Sequence, residues 1–162
     1  EGSRSAMLQS GDAPPDGITE GVAPTFLPGR NGLFIQIAAS FAAKTGSNSV
    51  VIGVNEVDFS GYPDCRAPFI VAMEQALASG FEPSMRLEAP LLHLDKMQIV
   101  RFAYHQQEVL RSIYDTDIVG EALALTHTCY NGQRPACGKC AACLLRKDGF
   151  KRAGYEDPAY SG

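Results

Sequence analysis

The sequence predicts an α/β protein: a parallel sheet with helices on both faces, followed by a compact four-cysteine segment. Between residues 32 and 106, segments with helical periodicity alternate with short apolar runs in the order helix, strand, helix, strand, helix. This alternation is typical of parallel sheets, because a crossover helix returns the chain to the start of the next strand. Near the C-terminus, four cysteines lie within fifteen residues, spaced C-x7-C-x2-C-x2-C.

The chain opens with a segment that has the composition of a linker. Residues 1–24 are rich in Gly, Pro and Ser, which favour turns and irregular structure. We therefore expect three regions. Residues 1–24 form a flexible linker, residues 25–125 form the sheet domain, and residues 126–162 form the metal-binding segment.

The first helix and strand follow the linker. Leu33, Ile37 and Phe41 recur at helical spacing and predict a helix over residues 32–44 with a broad apolar face, which such helices turn toward the core. Residues 49–54 are a short run rich in Val and Ile. This run predicts a strand that is apolar on both faces.

The remaining elements continue the same alternation. Residues 68–80 begin with Pro and end with Gly, which predicts a second helix. Residues 85–89 predict a second strand, ended by the following proline. Asp95 can cap a third helix that runs to about residue 106. Residues 108–124 are expected to be helical in part.

The loop after the first strand is a candidate ligand site, because ligands of parallel α/β sheets bind beyond the carboxyl ends of the strands. A carboxylate here can accept both donors on the Watson–Crick edge of a guanine-like base, and a tyrosine offers a stacking face. An arginine suits a carboxylate or phosphate. An ordinary surface turn is the alternative, since Gly, Pro, Asp and Ser are turn residues. The candidate substrate-binding residues are Asp58, Ser60, Tyr62, Asp64 and Arg66.

A second candidate segment precedes the first helix. Pro28-Gly-Arg-Asn31 can present backbone N–H groups and a guanidinium to phosphate at a helix N-terminus. Taken alone, the segment is better interpreted as an ordinary start of a helix. Arg30 and Asn31 are the candidate nucleotide-binding residues.

The four-cysteine segment predicts a zinc site. Thiolates suit this borderline-soft cation, which takes four tetrahedral ligands. Gly138 frees the backbone for the tight turn between two ligands. A site closed by four thiolates leaves no position for substrate, so the ion is structural and clamps the last helix, residues 141–153, onto the protein. The predicted ligands are Cys129, Cys137, Cys140 and Cys143.

Three alternatives remain for these cysteines. Disulfides need an oxidising compartment, and nothing in the sequence indicates secretion. An iron–sulfur cluster shares the C-x2-C-x2-C spacing, but Leu144 stands where a ferredoxin run has Pro. Four unrelated buried thiols are disfavoured by the spacing. The fifth cysteine, Cys65, is interpreted as a small buried side chain rather than a nucleophile.

The composition and net charge of the chain indicate which kinds of partner and which cellular compartment to expect. Of the 162 residues, 45% are hydrophobic and 20% are charged, and the net charge is −4. No apolar run approaches the length of about 20 residues that a membrane-spanning helix needs. A broad nucleic-acid surface would need clustered positive charge. We expect neither a membrane nor a direct nucleic-acid partner. Four of the five cysteines are predicted zinc ligands, which leaves Cys65 as a single free thiol. A zinc site together with an unpaired cysteine indicates the reducing cytoplasm.

Together these segments resemble the 7-cyano-7-deazaguanine synthase family, QueC, from about residue 22 to the end of the chain. Four unrelated motifs occur in the order of the family with similar gaps. The motifs are Pro28-Gly-Arg-Asn, Val51-Ile-Gly-Val-Asn, Asp58-Phe-Ser-Gly-Tyr-Pro-Asp-Cys-Arg, and Cys129-Tyr-Asn-Gly with Cys137-Gly-Lys-Cys-Ala-Ala-Cys-Leu-Leu-Arg.

The resemblance implies a Rossmann-like fold of the PP-loop superfamily, also described as adenine nucleotide alpha hydrolase-like. It implies an ATP-dependent ligase that converts 7-carboxy-7-deazaguanine and ammonia to 7-cyano-7-deazaguanine through an acyl adenylate and an amide, on the pathway to queuosine in transfer RNA. The implied cofactors are one structural Zn²⁺ per chain on the four cysteines, and ATP with Mg²⁺ as substrate. The implied assembly is a homo-oligomer, and we expect a dimer.

Two features depart from the family. Its Ser-Gly-Gly-x-Asp-Ser pyrophosphate loop does not occur in this sequence, and we expect it upstream of Glu1. Residues 104–124 form a longer segment than the family has before its first cysteine. Two alternatives follow: a related enzyme that acts on a different carboxylate, or a non-catalytic zinc-bound binding module if the pyrophosphate loop is absent from the protein.

Overall fold

The computed structural model describes residues 14–18, 20–57, 61–114 and 117–160. Asp58 and Ser60 of the candidate loop lie outside these ranges. No helix in the described ranges is long and apolar enough to cross a membrane. In chain order the elements are α1 (Arg30–Lys44), β1 (Ser49–Val51), a short 3-10 helix (Pro63–Cys65), α2 (Ala67–Gly80), β2 (Arg86–Glu88), α3 (Lys96–Tyr114), α4 (Ile118–Leu125) and α5 (Ala141–Ala153).

The two strands form a parallel pair in which Val50 lies opposite Leu87. Helix α2 makes the crossover between them, as a parallel connection requires. The predicted α/β class with a parallel sheet is confirmed. The strands are shorter than predicted, although the backbone N–H of Ile52 still donates to the carbonyl of Glu88 at 2.9 Å. The main core lies between this pair and helices α1 and α2.

Helix α1 turns a different face to the core than its periodicity predicts. Leu33, Ile37 and Phe41 are 59%, 58% and 67% exposed, so the prediction that their face packs inward is wrong for the described residues. The narrow sheet covers one stripe of the helix, and small side chains in that stripe let the backbone approach β1. The buried stripe consists of Asn31, Ile35, Ala39 and Ala42.

Strand β1 is likewise covered on one face. Val50 is buried in the main core, whereas Val51 is 65% exposed. Successive side chains of a strand point to opposite faces, so the second face of β1 is not packed within the described part of the chain. The strand is apolar on both faces, as predicted, but only the face of Val50 is buried among the described residues.

Helix α3 begins at the predicted cap and runs further than predicted. The backbone N–H of Gln98 donates to the Asp95 carboxylate at 2.8 Å, and the Asp95 N–H donates to the Gln98 side-chain oxygen at 2.9 Å. This reciprocal pair is a capping box. At the other end, the buried side chain of Gln107 accepts from Val119 N–H at 2.8 Å, which ties α3 to α4. The long segment after residue 104 is thus helical in large part.

Helix α5 packs along α3 and builds a second core. Val100, Phe150 and Ala153 are buried there. Beside them, the Tyr104 and Tyr155 rings stack with centroids 3.9 Å apart. The predicted helix over residues 141–153 is confirmed. The helix that follows the cysteines is therefore joined to the body of the protein by apolar packing as well as by the cysteine segment.

Replacing Gly149 with Ala tests how tightly α3 and α5 pack. A Cβ atom at Gly149 would lie 2.6 Å from the Cβ of Lys96 and 3.1 Å from its carbonyl carbon. Because backbone cannot yield as a flexible side chain can, we expect Gly149→Ala to lower the free energy of unfolding by about 1–3 kcal/mol. Gly80→Ala, with no atom within 4 Å of the added carbon, is the matched control. Equal stabilities in urea denaturation would contradict the tight approach.

Candidate metal centre and the adjoining loop

Four sulfur atoms converge next to the start of α5. The Sγ atoms of Cys129, Cys137, Cys140 and Cys143 all lie within 4.8 Å of one another. Cys143 Sγ lies 3.9 Å from Cys137 Sγ and 3.5 Å from Cys140 Sγ. A tetrahedral ion about 2.3 Å from each sulfur would place neighbouring sulfurs about 3.8 Å apart. The four cysteines are therefore arranged to hold one metal ion.

The chain around these cysteines directs hydrogen-bond donors at the sulfur atoms. The backbone N–H of Cys137 donates to Cys129 Sγ and that of Cys140 donates to Cys137 Sγ, both at 3.4 Å. The side-chain amide of Asn131 donates to Cys137 Sγ at 3.3 Å. Donors of this kind favour thiolates over thiols and are common around metal-bound cysteines.

The acidity of the thiols follows from these donors and from burial. Backbone N–H groups of Lys139 and Cys140 hold the pKa of Cys137 at about 6. Burial instead raises the pKa of Cys143 to about 12. A metal ion would displace the proton from this buried thiol, since a thiolate is the form that binds metal.

Local geometry explains why the ligands meet. Cys140 precedes α5 and Cys143 lies in its first turn, so three residues of separation place both on one side of the helix. Gly138 has φ of 71°, a conformation in which a side chain would be strained. Upstream, the backbone N–H of Gly17 donates to the Lys139 carbonyl at 2.9 Å. Part of the predicted linker thus contacts the metal-binding turn.

The candidate loop is only partly within the described residues. Asp58 and Ser60 lie outside them. Tyr62 and Asp64 are each 5% exposed, whereas the Arg66 side chain is exposed and donates to the Gly61 carbonyl at 2.9 Å. Most of the Tyr62 ring is therefore covered by the protein, and of the three candidate residues that the structure describes here, Arg66 is the one that faces solvent.

Asp64 and Asn31 join the loop to the start of α1. The Asn31 backbone N–H donates to Asp64 Oδ2, and the Asn31 side-chain amide donates to the Asp64 carbonyl, both at 3.1 Å. The same amide contacts Cys65 Sγ at 3.3 Å. Asp64 thus satisfies an N–H at the helix N-terminus, where the helix dipole also favours negative charge. The two motifs that the sequence presents separately form one structure.

A cluster of aromatic and basic side chains lies beside this junction. The Arg30 guanidinium carbon lies 5.9 Å from the centre of the Tyr62 ring, and the Phe26 ring lies 5.4 Å from the same ring. The Tyr62 and Thr25 hydroxyls are hydrogen-bonded. Burial raises the pKa of Tyr130, the residue after the first cysteine, above its ordinary value.

Sequence reasoning missed four residues at this site. Thr25 and Tyr130 sit at the edges of motifs, which is the only signal the sequence carries for them. Glu56 follows β1 and His93 follows β2. Glu56 Oε2 accepts from the Ala67 N–H at 2.9 Å, and Oε1 lies 2.7 Å from His93 Nδ1. The Ala67 donor lowers the pKa of Glu56. This pair links the two loops at the carboxyl ends of the strands.

Comparison with known proteins agrees with these motifs. The sequence profile of the family described as Queuosine biosynthesis protein QueC matches residues 3–154. A 7-cyano-7-deazaguanine synthase from Gloeobacter violaceus is 46% identical over 146 residues, 88% of this chain and 59% of that protein. The enzyme of the same name from Chromobacterium violaceum is 41% identical over 155 residues, 94% of this chain and 62% of that protein.

A third relative has a similar degree of identity. A 7-cyano-7-deazaguanine synthase from Thermoplasma acidophilum is 40% identical over 147 residues, 88% of this chain and 56% of that protein. This chain therefore spans about six-tenths of the length of the relatives it matches. Because the profile covers nearly all of its residues, and the cysteine cluster and both loop motifs lie within the matched region, the chain belongs to the QueC family of queuosine biosynthesis proteins.

Proposed function

We propose that the protein acts in queuosine biosynthesis as an ATP-dependent carbon–nitrogen ligase that converts 7-carboxy-7-deazaguanine and ammonia to 7-cyano-7-deazaguanine. The name of its relatives supports the product. The observation that carries the assignment to this chain is the junction of Asn31 and Asp64. It joins a basic helix start to the loop at the carboxyl end of β1, where α/β sheets bind their ligands.

The chemistry explains the need for ATP. A carboxylate is a poor electrophile because its leaving group would be oxide. Attack of the carboxylate on the α-phosphate of ATP releases pyrophosphate and forms an acyl adenylate, from which ammonia displaces AMP to give the amide. The amide oxygen attacks a second ATP in the same way. Loss of AMP and of the remaining N–H protons then leaves the nitrile.

Each candidate residue of the site is assigned a role in binding the substrates of this reaction. We assign Arg30 and Arg66 to the anionic groups of the substrates, because a guanidinium holds carboxylate or phosphate bidentately. Mg²⁺ bound with ATP shares in neutralising the phosphates. Asp58 and Ser60 are assigned to the edge of the deazaguanine base, and the buried Tyr62 and Asp64 to the support of the pocket. Asn31 holds Asp64 against the start of α1.

The cysteine cluster holds a structural zinc ion in this proposal. The sulfur spacing suits a tetrahedral ion, and cytosolic thiolate sets of this composition commonly bind zinc. Four protein ligands leave no position for substrate, so the ion supports the fold rather than the reaction. A homodimer in the cytoplasm remains our expectation, which light scattering on the purified protein will test.

Release of AMP by the full-length protein tests the ligase. We expect AMP from ATP when both 7-carboxy-7-deazaguanine and ammonia are present, with two AMP per nitrile formed. Arg30→Ala should lower kcat/KM about 10- to 100-fold, as for loss of hydrogen bonds to a charged group of about 1.5–3 kcal/mol. Arg86→Ala is the control, because Arg86 lies on an exposed strand position and pairs with Glu88.

The same assay separates the alternatives. ATP turnover that is indifferent to the deazaguanine carboxylate would favour a related enzyme with a different carboxylate substrate. A full-length protein that binds zinc but neither binds nor hydrolyses ATP would favour a non-catalytic binding module. An equal loss in Arg30→Ala and Arg86→Ala would remove Arg30 from the site.

A further inference from the structure

Thr25 is a buried polar side chain that lies shortly before the first helix. It is 2% exposed, and its hydroxyl is hydrogen-bonded to the hydroxyl of the buried Tyr62, 37 positions further along the chain. Losing one partner of a buried hydrogen bond leaves the other partner uncompensated, so each of these side chains restricts the other. Thr25 therefore holds the phenol of Tyr62 in one position.

The segment that carries Thr25 also contacts the ring of Tyr62. The Phe26 ring lies 5.4 Å from the Tyr62 ring, centre to centre. The Phe26 N–H donates to the Ala23 carbonyl at 2.9 Å, which closes a turn of the backbone around Thr25. The Thr25 hydroxyl is therefore presented to Tyr62 from a defined backbone position.

A second contact joins the same two parts of the chain. Gly61 has φ of 63°, and a Cβ atom there would collide with the carbonyl oxygen of Gly21. The backbone of the loop thus passes directly against the segment before Thr25, which the sequence predicts as linker. With this close approach and the paired hydroxyls, the loop has little room to shift.

Tyr62 in turn supports groups of the candidate site. The Arg30 guanidinium carbon lies 5.9 Å from the centre of its ring, a distance at which an aromatic face attracts a cation. The Tyr62 carbonyl accepts from the Cys65 N–H at 3.1 Å, which closes the turn that carries Asp64. A Tyr62 ring without its anchor would turn away from this arrangement and weaken its contact with Arg30.

We propose that Thr25 is a positioning residue for substrate binding. Its hydroxyl orients Tyr62, and the Tyr62 ring orients the Arg30 guanidinium toward the anionic group of a substrate. Thr25 acts through these two side chains and does not itself touch substrate. A hydroxyl pair that only stabilised the fold would change the free energy of unfolding without changing KM. The proposal rests on the assignment of Arg30 under Proposed function.

Thr25→Val in the full-length protein removes the hydroxyl and keeps the shape of the side chain. We expect the KM of the anionic substrate that Arg30 binds, ATP or 7-carboxy-7-deazaguanine, to rise about two- to tenfold, the equivalent of one net hydrogen bond, with kcat largely unchanged. Thr25→Ser keeps a hydroxyl and should have the KM of the wild type. Thr45→Val is the matched control, because the Thr45 hydroxyl bonds backbone carbonyls at the end of α1.

The double variant Thr25→Val with Arg30→Ala tests the route of the effect. Since Thr25 acts through Arg30, Thr25→Val should raise KM little once the guanidinium is absent. An equal rise of KM with and without Arg30 would overturn the proposal, and so would a Thr25→Val protein with the KM of the wild type. A rise of KM in Thr25→Ser as large as that in Thr25→Val would also overturn it, because the hydroxyl would then not be the cause.

A measurement without substrate separates failure of this proposal from failure of the ligase. The Cys65 and Arg66 N–H groups donate within the loop turn at 3.1 and 3.3 Å, so their hydrogen exchange reports on that turn. We expect this exchange to rise several-fold in Thr25→Val and to match the wild type in Thr25→Ser. Unchanged exchange in Thr25→Val would show that Thr25 does not hold Tyr62, and would overturn the proposal whatever the ligase assay gives. Raised exchange in a full-length protein without ligase activity would support the hold of Thr25 on Tyr62 and contradict the proposed function instead.

Discussion

Cys140→Ser is expected to abolish stoichiometric metal binding and to unfold the C-terminal segment. Cys140 is fully buried among the other three cysteines and directly precedes α5. A serine hydroxyl is a poor ligand for a soft thiolate site, and the three remaining sulfurs would leave the ion with an open position. Because structural zinc contributes about 10–16 kcal/mol of binding free energy in small zinc-binding peptides, losing most of it should exceed the stability of the segment.

Elemental analysis and thermal unfolding measure this effect. The wild type should hold about one zinc per chain, as a four-thiolate site does, and Cys140→Ser much less. The control is Cys65→Ser, since Cys65 lies in the loop by Asn31 rather than in the cluster. Full zinc content in Cys140→Ser would remove this residue from the ligand set. Iron with sulfide and visible absorbance in the wild type would establish the cluster alternative instead.

Arg146→Met is expected to destabilise the protein by about 3–5 kcal/mol, because it leaves a buried carboxylate without its partner. The Arg146 guanidinium donates to both oxygens of Asp157 at 2.6 and 2.7 Å, and the two side chains are 7% and 11% exposed. The same group donates to the Thr126 hydroxyl at 2.6 Å and to the Leu123 carbonyl at 3.1 Å. The Arg146 side chain thus joins α5 to the end of α4 and to the residues that follow α5.

Denaturant unfolding of two further variants compares the stabilisation from this buried network with that from ion pairs at the surface. Arg152→Met removes ion pairs with Asp95 and Asp148 that are partly or largely exposed, and such pairs contribute at most about 1 kcal/mol. The double variant Arg146→Met with Asp157→Leu should recover part of the loss, since it no longer buries an unpaired charge. A cost below about 1 kcal/mol for Arg146→Met would show that Asp157 finds water instead.

The features predicted correctly from the sequence depend on residues that lie close together along the chain. The cysteine spacing fits a single ion, because neighbouring ligands in a short segment meet with little help from the rest of the fold. The Asp95 cap and the helix Ala141–Ala153 follow the same logic, since a cap and a helical period depend on residues three or four positions apart. Family membership was also accessible, because several motifs occur together in one order.

The contacts that build the candidate site are not local. Asn31 meets Asp64 across 33 positions, and Glu56 meets His93 across 37. No periodicity marks such partners, because each pair is chosen by how helices and strands stack. The sequence also misplaced the inner face of α1. Leu33 and Ile37 are more hydrophobic than Ala39, yet Ala39 is fully buried while they are exposed, because close approach to β1 favours a small side chain.

The sequence by itself determined the α/β class, the order of its elements, the cluster of four cysteines that could hold a metal ion, and the family. Those features are encoded in spacing along the chain. Tertiary structure alone decided which stripe of α1 is buried and that the segment of Arg30 and Asn31 contacts the loop of Asp64. Those features arise from packing between residues far apart in sequence, where volume and hydrogen-bond geometry, rather than pattern, select the partners.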